Sequence, residues 1–235
     1  PEVLPTGKNF YALDGSLVPS RLGYDVGIEL ARQARAENDS TQSDAIVLWA
    51  SDVVRDEGAM IAFGLDMLGL KPVWSSRGIV KRLERLDISS MTENNKPRLR
   101  RDTVYTTSGL FRDLYGRHLV LLEKAVLMAL DGSSDLIREK YPALTYALDQ
   151  TLAPLAKEQR PGRESLDINL VAARWVEDAR KALQAGVPAA QAGPQAAYRV
   201  FGDAPGTYGA GVNRMVERSG NWTDRAEIAA VYPRR

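Results

Sequence analysis

Two short segments combine carboxylates, arginines and small polar residues where a strand is predicted to give way to a helix. Residues 51–58 follow an apolar run, and residues 108–113 follow a predicted strand. In open parallel sheets, ligands bind beyond the carboxyl ends of the strands, where loops meet helix N-termini. Backbone N–H groups favour anions there, and an arginine one turn into each helix would suit a ligand that carries carboxylates. The side chains concerned are Asp52, Arg55, Glu57, Ser108, Arg112 and Asp113.

The same residue types also have a purely structural interpretation. Asp52 and Ser108 are residue types that cap helix N-termini. Asp56, Glu57 and Asp113 would then only complement the helix dipoles. Spacing alone leaves both interpretations open.

A third segment, residues 201–213, contains four glycines ahead of a predicted helix. Glycines allow backbone amides to approach a ligand closely. The segment lacks the Lys-Ser or Lys-Thr pair of a phosphate-binding P-loop, and no strand is predicted directly before it, as a dinucleotide fingerprint would require. Nucleotide binding is therefore disfavoured, and a ligand-binding loop and a plain structural loop remain.

Histidine occurs once, as His118, and cysteine is absent. A zinc-type site needs several imidazole or thiolate ligands, and a hydrolase triad needs more than one isolated histidine. We therefore predict that this chain holds no metal and no cofactor of its own.

Composition excludes several kinds of partner. The chain has 235 residues, with 31 basic and 30 acidic side chains and 44% hydrophobic residues, as in an ordinary globular protein. Nucleic-acid binders concentrate a basic excess on one face, whereas the basic clusters here are small. No run approaches the roughly 20 apolar residues that span a bilayer, and no signal peptide is recognisable. We expect a cytoplasmic protein that binds no nucleic acid and has no membrane span. Because it begins at Pro1 without an initiator methionine, we also expect a piece of a longer protein.

The apolar pattern predicts an α/β fold. Residues 45–50 form a short apolar run typical of a strand that is covered on both faces. Val73-Trp74 and residues 102–107 are predicted to join the same sheet, and residues 79–86 form a further short strand. Strands that alternate with helices indicate a mostly parallel, Rossmann-like sheet with helices on both faces.

Three helices are predicted before, between and after these strands. The first begins after Ser20 and carries a stripe of Leu22, Val26, Leu30 and Ala34. The others cover residues 53–68, which end at Gly69, and residues 110–130.

The predicted domain organisation has three parts. Residues 1–130 form the α/β domain with an extended lead-in, residues 131–200 form a helical insertion, and residues 201–235 complete the α/β domain with the glycine-rich loop and a helix. Within the insertion, an apolar stripe from Ile168 to Leu183 predicts a helix. Residues 184–197, rich in alanine and glycine, are predicted to be a mobile connection.

Several of these stretches resemble the large subunits shared by cobaltochelatase and magnesium chelatase. They are residues 4–11, 47–58, 108–113 and 199–213, in the order that the family shows. The opening Pro-Thr-Gly-Lys-Asn-Phe-Tyr is closer to the cobalt enzymes. The resemblance covers most of the chain outside residues 131–195, and the family's histidine-rich motif is missing.

This resemblance implies a subunit that holds a tetrapyrrole while AAA+ motor subunits hydrolyse ATP and Co²⁺ or Mg²⁺ enters the macrocycle. The chain alone should neither insert metal nor hydrolyse ATP, and its partners would include the rest of the parent subunit. Carboxylates near the ring would have a chemical purpose, since protons must leave the pyrroles as metal enters. We therefore assign Asp52, Glu57 and Asp113 to guiding the cation or accepting protons. The residues assigned to substrate binding are Lys8, Asn9, Arg21, Arg55, Ser108, Arg112, Gly206, Tyr208 and Asn213.

Two other functions remain open. In a structural or partner-docking module, the same charges would form internal ion pairs. A sugar or nucleotide transferase of doubly wound fold is the third alternative. If the chelatase hypothesis holds, residues 51–57, 108–113 and 206–213 should line one cleft, with Tyr208 stacking on the ring.

Overall fold

The computed structural model describes residues 14–38, 41–93 and 96–202. Strands and helices alternate in the first half of these residues, and helices dominate the second half. The strands are β1 (Asp44–Leu48), β2 (Leu70–Trp74), β3 (Val80–Arg85), β4 (Thr92–Glu93), β5 (Lys96–Pro97), β6 (Thr103–Thr107) and β7 (Val200–Gly202). The α-helices are α1 (Arg21–Glu37), α2 (Ala50–Asp56), α3 (Ala59–Met67), α4 (Gly109–Leu114), α5 (Gly116–Asp131), α6 (Ser134–Lys140), α7 (Thr145–Leu152), α8 (Leu170–Gln184) and α9 (Ala189–Ala196).

A parallel sheet is formed by β1, β6 and β7, in that order. Leu48 pairs with Thr107, and Thr107 pairs with Gly202, so all three strands end at the same edge. One face of the sheet is fully covered: Ile46 and Tyr105 are 2% and 0% exposed, and Gly64 of α3 lies against the Tyr105 ring. The predicted α/β class with a mostly parallel sheet is confirmed.

Val73-Trp74 does not belong to this sheet, contrary to the sequence prediction. It lies in β2, which pairs antiparallel with β3 in a separate two-stranded sheet. The turn between these strands is short, and Gly78 adopts a positive φ within it. Such a turn can join antiparallel neighbours, whereas a parallel neighbour requires a crossover of a dozen or more residues. The predicted strand at residues 79–86 is confirmed as β3.

Two predicted helices are each broken in two. The helix predicted over residues 53–68 consists of α2 and α3, separated by Glu57 and Gly58, which both have left-handed backbone conformations. The helix predicted over residues 110–130 consists of α4 and α5, which meet at Tyr115. Apolar spacing continues across both breaks, because a short break changes a helix's direction without removing the apolar face that it buries.

The first helix begins after Ser20, as predicted, and the Ser20 side chain accepts a hydrogen bond from the Gly23 backbone N–H at 3.0 Å. Its buried face, however, is Gly23, Gly27 and Ala31, whereas Leu22 and Val26 of the predicted stripe are 66% and 46% exposed. A β-carbon added at Gly23 would overlap the carbonyl oxygen of Glu57. α1 therefore meets the turn before α3 at Gly23, and α3 itself at Gly27, backbone to backbone, and this close approach requires small residues.

This packing makes Gly27 sensitive to any side chain. A β-carbon at Gly27 would lie 2.7 Å from the β-carbon of Ala62 and overlap the Ala59 carbonyl oxygen. We expect Gly27→Ala to lower the free energy of unfolding by about 1–3 kcal/mol, although alanine raises helix propensity by about 1 kcal/mol. Urea denaturation measures the change. Leu22→Ala on the same helix is the control and should change stability by less than about 0.5 kcal/mol. Stabilisation by Gly27→Ala would contradict the packing.

The segment after residue 131 is helical, as predicted. Every residue from 131 to 185 is described, and none belongs to a strand, apart from a single bridge between Asn169 and Arg100. The predicted apolar stripe lies on α8, where Trp175 is 1% exposed. Gly186 has a positive φ just after this helix.

The prediction of a mobile connection at residues 184–197 is wrong, since α9 lies there. Trp175 donates a hydrogen bond from Nε1 to the Gly193 carbonyl oxygen at 2.9 Å. Gly193 also packs against the backbone of Ala147 in α7. Small residues permit tight helix packing as readily as they permit mobility, and composition alone does not separate the two.

Among the residues that the structure describes, no helix combines the length and the apolar character that a membrane span requires.

Candidate functional site

The turns that follow β1 and β6 come together at one edge of the sheet. The strands are parallel and in register from Asp44 with Thr103 to Leu48 with Thr107. The Ser108 backbone N–H donates to the Leu48 carbonyl oxygen at 3.0 Å, and α2 contacts α4. The sequence-based expectation that both turns share this edge is confirmed. We call the surface formed by residues 49–57 and 108–114 the carboxyl edge.

Ser108 serves as a helix cap within this edge. Its Oγ accepts a hydrogen bond from the Phe111 backbone N–H at 3.1 Å, and the residue is 2% exposed. Asp52, by contrast, lies inside α2, whose N-cap position is Trp49. The capping interpretation therefore holds for Ser108 and is wrong for Asp52. Sequence spacing misplaced the start of α2 by a few residues, because the apolar run of β1 continues into the helix.

Two ion pairs lie on the carboxyl edge. Arg55 donates to the Asp52 carboxylate at 2.8 Å, with side chains that are 80% and 37% exposed. Arg112 donates from Nε to the carboxylate of its neighbour Asp113 at 2.9 Å, and the Arg112 side chain is 18% exposed. An exposed pair such as Arg55 with Asp52 contributes little to stability, so its charges can be redirected towards a ligand at small cost to the fold. The Arg112 side chain is largely buried.

Glu57 and Arg21 lie where α1 meets the turn between α2 and α3. The Glu57 carboxylate accepts a hydrogen bond from the Ser20 hydroxyl, and its carbonyl oxygen accepts from the Ser20 backbone N–H at 3.0 Å. The Arg21 guanidinium lies 5.2 Å from the ring centroid of Trp74, a cation–π distance. Trp74 donates from Nε1 to the Pro19 carbonyl oxygen at 2.9 Å. Both charged residues thus have structural partners, which attach residues 19–21 to the fold.

The carboxyl edge also carries apolar side chains that the sequence analysis did not select. Trp49 is 41% exposed at the end of β1, and Leu110 and Leu114 are 48% and 60% exposed on α4. Leu110 and Leu114 are spaced by four residues, so they share one face of the helix. That spacing, with a tryptophan directly after an apolar strand, is the signal that could have identified them. The edge therefore combines an apolar surface with two arginine–carboxylate pairs.

Five residues that the sequence analysis selected lie outside the described residues: Lys8, Asn9, Gly206, Tyr208 and Asn213. We expected no strand directly before the glycine-rich segment. This expectation is wrong, because Val200–Gly202 forms β7. This strand follows a helix and has only three residues, which are too few to show an apolar alternation in the sequence. Gly202 pairs with Thr107 and ends at the carboxyl edge.

His118 has a structural role close to this edge. Its Nε2 lies 2.9 Å from the Val18 carbonyl oxygen, and the residue is 6% exposed. Burial lowers the pKa of His118 below its ordinary value of 6.5. Nε2 must donate to this carbonyl oxygen, so in the neutral ring Nδ1, which is buried without a hydrogen-bond partner, carries no proton. No group of three or more histidine or acidic residues that could hold a metal ion occurs in the described part of the chain.

The state of His118 predicts a pH dependence of stability. The unfolded chain binds a proton at higher pH than the folded chain does, so the stabilisation is complete above pH 6.5 and is lost as the pH falls below that value. Urea denaturation at several pH values tests this. Between about pH 5 and pH 6.5, the free energy of unfolding should fall more steeply for the wild type than for His118→Gln. Parallel pH profiles would contradict the assignment.

Known proteins match the chain along its length. The family model described as CobN/Magnesium Chelatase matches residues 1–235. The aerobic cobaltochelatase subunit CobN of Sinorhizobium sp is 29% identical over 99% of this chain and 16% of its own length. The chloroplastic magnesium-chelatase subunit ChlH of Oryza sativa subsp. indica is 31% identical over 99% of this chain and 14% of its own length.

A solved structure has the same fold. The catalytic subunit of cobaltochelatase from Mycobacterium tuberculosis aligns with a TM-score of 0.64 and 27% identity, over 94% of this chain and 16% of that subunit. The chain thus spans about one sixth of the length of these relatives.

Proposed function

Because the chain belongs to the CobN/magnesium chelatase family, we propose that it forms part of a large subunit that binds a tetrapyrrole during metal insertion. The observation that carries this proposal is the family match over residues 1–235. We favour cobalt and a corrin precursor, because the motif at residues 4–11 is closer to the cobalt enzymes. An equivalent part of a magnesium chelatase H subunit is the alternative, since relatives of both kinds match at similar identity. The expected cytoplasmic location stays a prediction.

The carboxyl edge is the proposed place of tetrapyrrole contact. A macrocycle is flat and apolar and carries carboxylates on its periphery, and the edge combines Trp49, Leu110 and Leu114 with nearby arginines. Apolar and aromatic side chains would cover one face of the ring. Arg55 and Arg112 would pair with peripheral carboxylates by charge-assisted hydrogen bonds.

The acidic residues have a separate proposed role. Metal insertion releases pyrrole protons, so a carboxylate near the ring can accept a proton or guide the cation. The pairing of Asp52 and of Asp113 with an arginine supports this role, because a substrate carboxylate could compete for either arginine. Glu57 is held by Ser20, and Arg21 by the Trp74 ring. These two residues are therefore proposed to act at the margin of the site.

ATP hydrolysis is assigned to partner motor subunits. The chain contains no Lys-Ser or Lys-Thr P-loop pair, which fits that division of labour. The rest of the large subunit would supply the metal ligands.

A partner-docking module is the second candidate function. It is favoured by the internal pairing of Asp52 with Arg55 and of Arg112 with Asp113. In that case the tetrapyrrole would be held elsewhere in the large subunit.

Absorbance titration of a tetrapyrrole with the 235-residue chain separates the two functions. We expect a saturable shift of the absorbance bands and no ATP turnover by the pure chain. A chain that binds motor subunits in a pull-down but leaves the spectrum unchanged would support the docking module instead. Measurable ATP hydrolysis would contradict the division of labour.

A further inference from the structure

The second face of the parallel sheet is much less covered than the first. Ala45 is exposed, and Val47, Val104, Thr106 and Phe201 are half-buried. On the opposite face, the alternating residues of the same strands are 0–2% exposed: Ile46, Leu48, Thr103, Tyr105 and Thr107. We call the less covered surface the open sheet face.

The open sheet face is continuous across all three strands. Ala45 pairs with Val104, and Thr106 pairs with Phe201, so these side chains lie beside one another on one side of the pleat. Parallel strands in globular proteins are covered on both faces, and their apolar residues are selected for that environment. A partly exposed apolar face on a parallel sheet therefore indicates a missing layer.

A cavity of about 440 Å³ adjoins this face at its amino end. Val104 and Phe201 of the sheet line it together with Ala182 of α8 and Ala196 of α9. These four residues give the cavity an apolar part that an apolar side chain from outside could contact.

Polar side chains at the boundary of the cavity already form hydrogen bonds within the protein. Asp102 accepts hydrogen bonds from the Ser43 hydroxyl at 2.5 Å and from Arg199 Nε at 2.8 Å. Asp102 and Arg199 are 2% and 7% exposed. Since these charges already pair with each other, the cavity offers no buried charge that calls for an ionic ligand. An apolar occupant fits it better.

We propose that the open sheet face binds an apolar helix or strand from another part of the chelatase large subunit, with one apolar side chain entering the cavity. The chain spans 16% of the length of the CobN relative and 16% of the solved cobaltochelatase subunit. The remaining length of such a subunit can provide the missing layer. This proposal depends on the family and is independent of where the tetrapyrrole binds.

Thiol labelling tests the proposal, because the chain has no cysteine of its own. Ala45→Cys and Thr106→Cys are introduced separately into the 235-residue chain and into a full-length large subunit. Iodoacetamide labelling is followed by peptide mass spectrometry, without tetrapyrrole or metal. Val120→Cys, at a position 64% exposed on α5, is the matched control. Relative to that control, we expect both sites to react at least about tenfold more slowly in the full-length subunit than in the isolated chain.

Two results would overturn the proposal. Equal labelling in both proteins would show that the open sheet face stays uncovered. Protection already present in the isolated chain would identify a different occupant: a second copy if protection disappears on dilution, or residues 1–13 or 203–235 of the same chain if it does not. A failure of tetrapyrrole binding leaves these readouts unchanged, so the two hypotheses fail independently.

Discussion

Replacing Arg100 with leucine is expected to lower the free energy of unfolding by about 3–5 kcal/mol, the range observed when one partner of a buried ion pair is removed. Arg100 is 0% exposed, and its guanidinium donates to the Glu164 carboxylate at 2.7 and 2.9 Å. It also donates to the carbonyl oxygens of Leu68, Gly69 and Leu86 at 2.7–3.0 Å. Leucine would remove all of these hydrogen bonds, and the Glu164 carboxylate would keep a hydrogen bond from the Asn169 side-chain amide but lose its ion-pair partner Arg100.

Urea denaturation compares the variant with a matched control. Arg163→Leu removes the arginine that directly precedes Glu164 in the chain, which is 62% exposed and pairs with Glu139 at the surface. That change should alter stability by less than about 0.5 kcal/mol. A double-mutant cycle with Glu164→Gln then isolates the coupling. Equal midpoints for Arg100→Leu and Arg163→Leu would show that the buried pair contributes nothing specific.

The Arg112→Ala variant of the full-length large subunit is expected to bind tetrapyrrole about 10–100-fold more weakly, which corresponds to about 1.5–3 kcal/mol for a hydrogen bond to a charged group. Arg112 lies on the carboxyl edge with its side chain 18% exposed, next to Asp113. Alanine removes the guanidinium without opening the core. The absorbance titration gives the dissociation constant, and circular dichroism checks that the fold is retained.

Two companion variants make the Arg112 result specific. Arg180→Ala removes an exposed arginine on α8 and should leave the affinity unchanged. Asp113→Asn weakens the competing partner of Arg112, so it should preserve or increase the affinity. Unchanged affinity in Arg112→Ala would assign the residue to structure or to partner docking.

The sequence predicted the elements that depend on local patterns. The apolar run at residues 45–50 indicated β1, and the stripe from Ile168 to Leu183 indicated α8. The helix start at Ser20 and the helix stop at Gly69 were also predicted correctly, because capping and positive φ are decided by one residue and its immediate neighbours.

The errors concern contacts between distant segments. Apolar periodicity predicted that Leu22 and Val26 face the core, but Gly23 and Gly27 do so. Apolar periodicity identifies a buried helix face by its large apolar side chains. It therefore misses a face that is buried through glycines and direct backbone contact. In the same way, the strand at Val73-Trp74 was predicted correctly, but the strand that it pairs with was not. That pairing is decided by the short turn after β2, which favours an antiparallel neighbour.

The candidate site was predictable in its place but not in its detail. Because β1 and β6 are parallel, the turns after them had to share an edge, and this followed from the predicted fold class. Whether Asp52 caps a helix or pairs with Arg55 depends on the residue at which α2 begins. Boundaries of this kind shift by one or two residues, which is enough to change the role of a side chain.

The glycine contact between α1 and α3 has a mechanical consequence. Where two helices touch through their backbones, few flexible side chains lie at the contact to absorb a displacement, and close packing transmits strain. Ser20, which caps α1, holds Glu57 of the carboxyl edge through its hydroxyl and its backbone N–H. A displacement of α1 would therefore shift the turn at Glu57 and Gly58 directly.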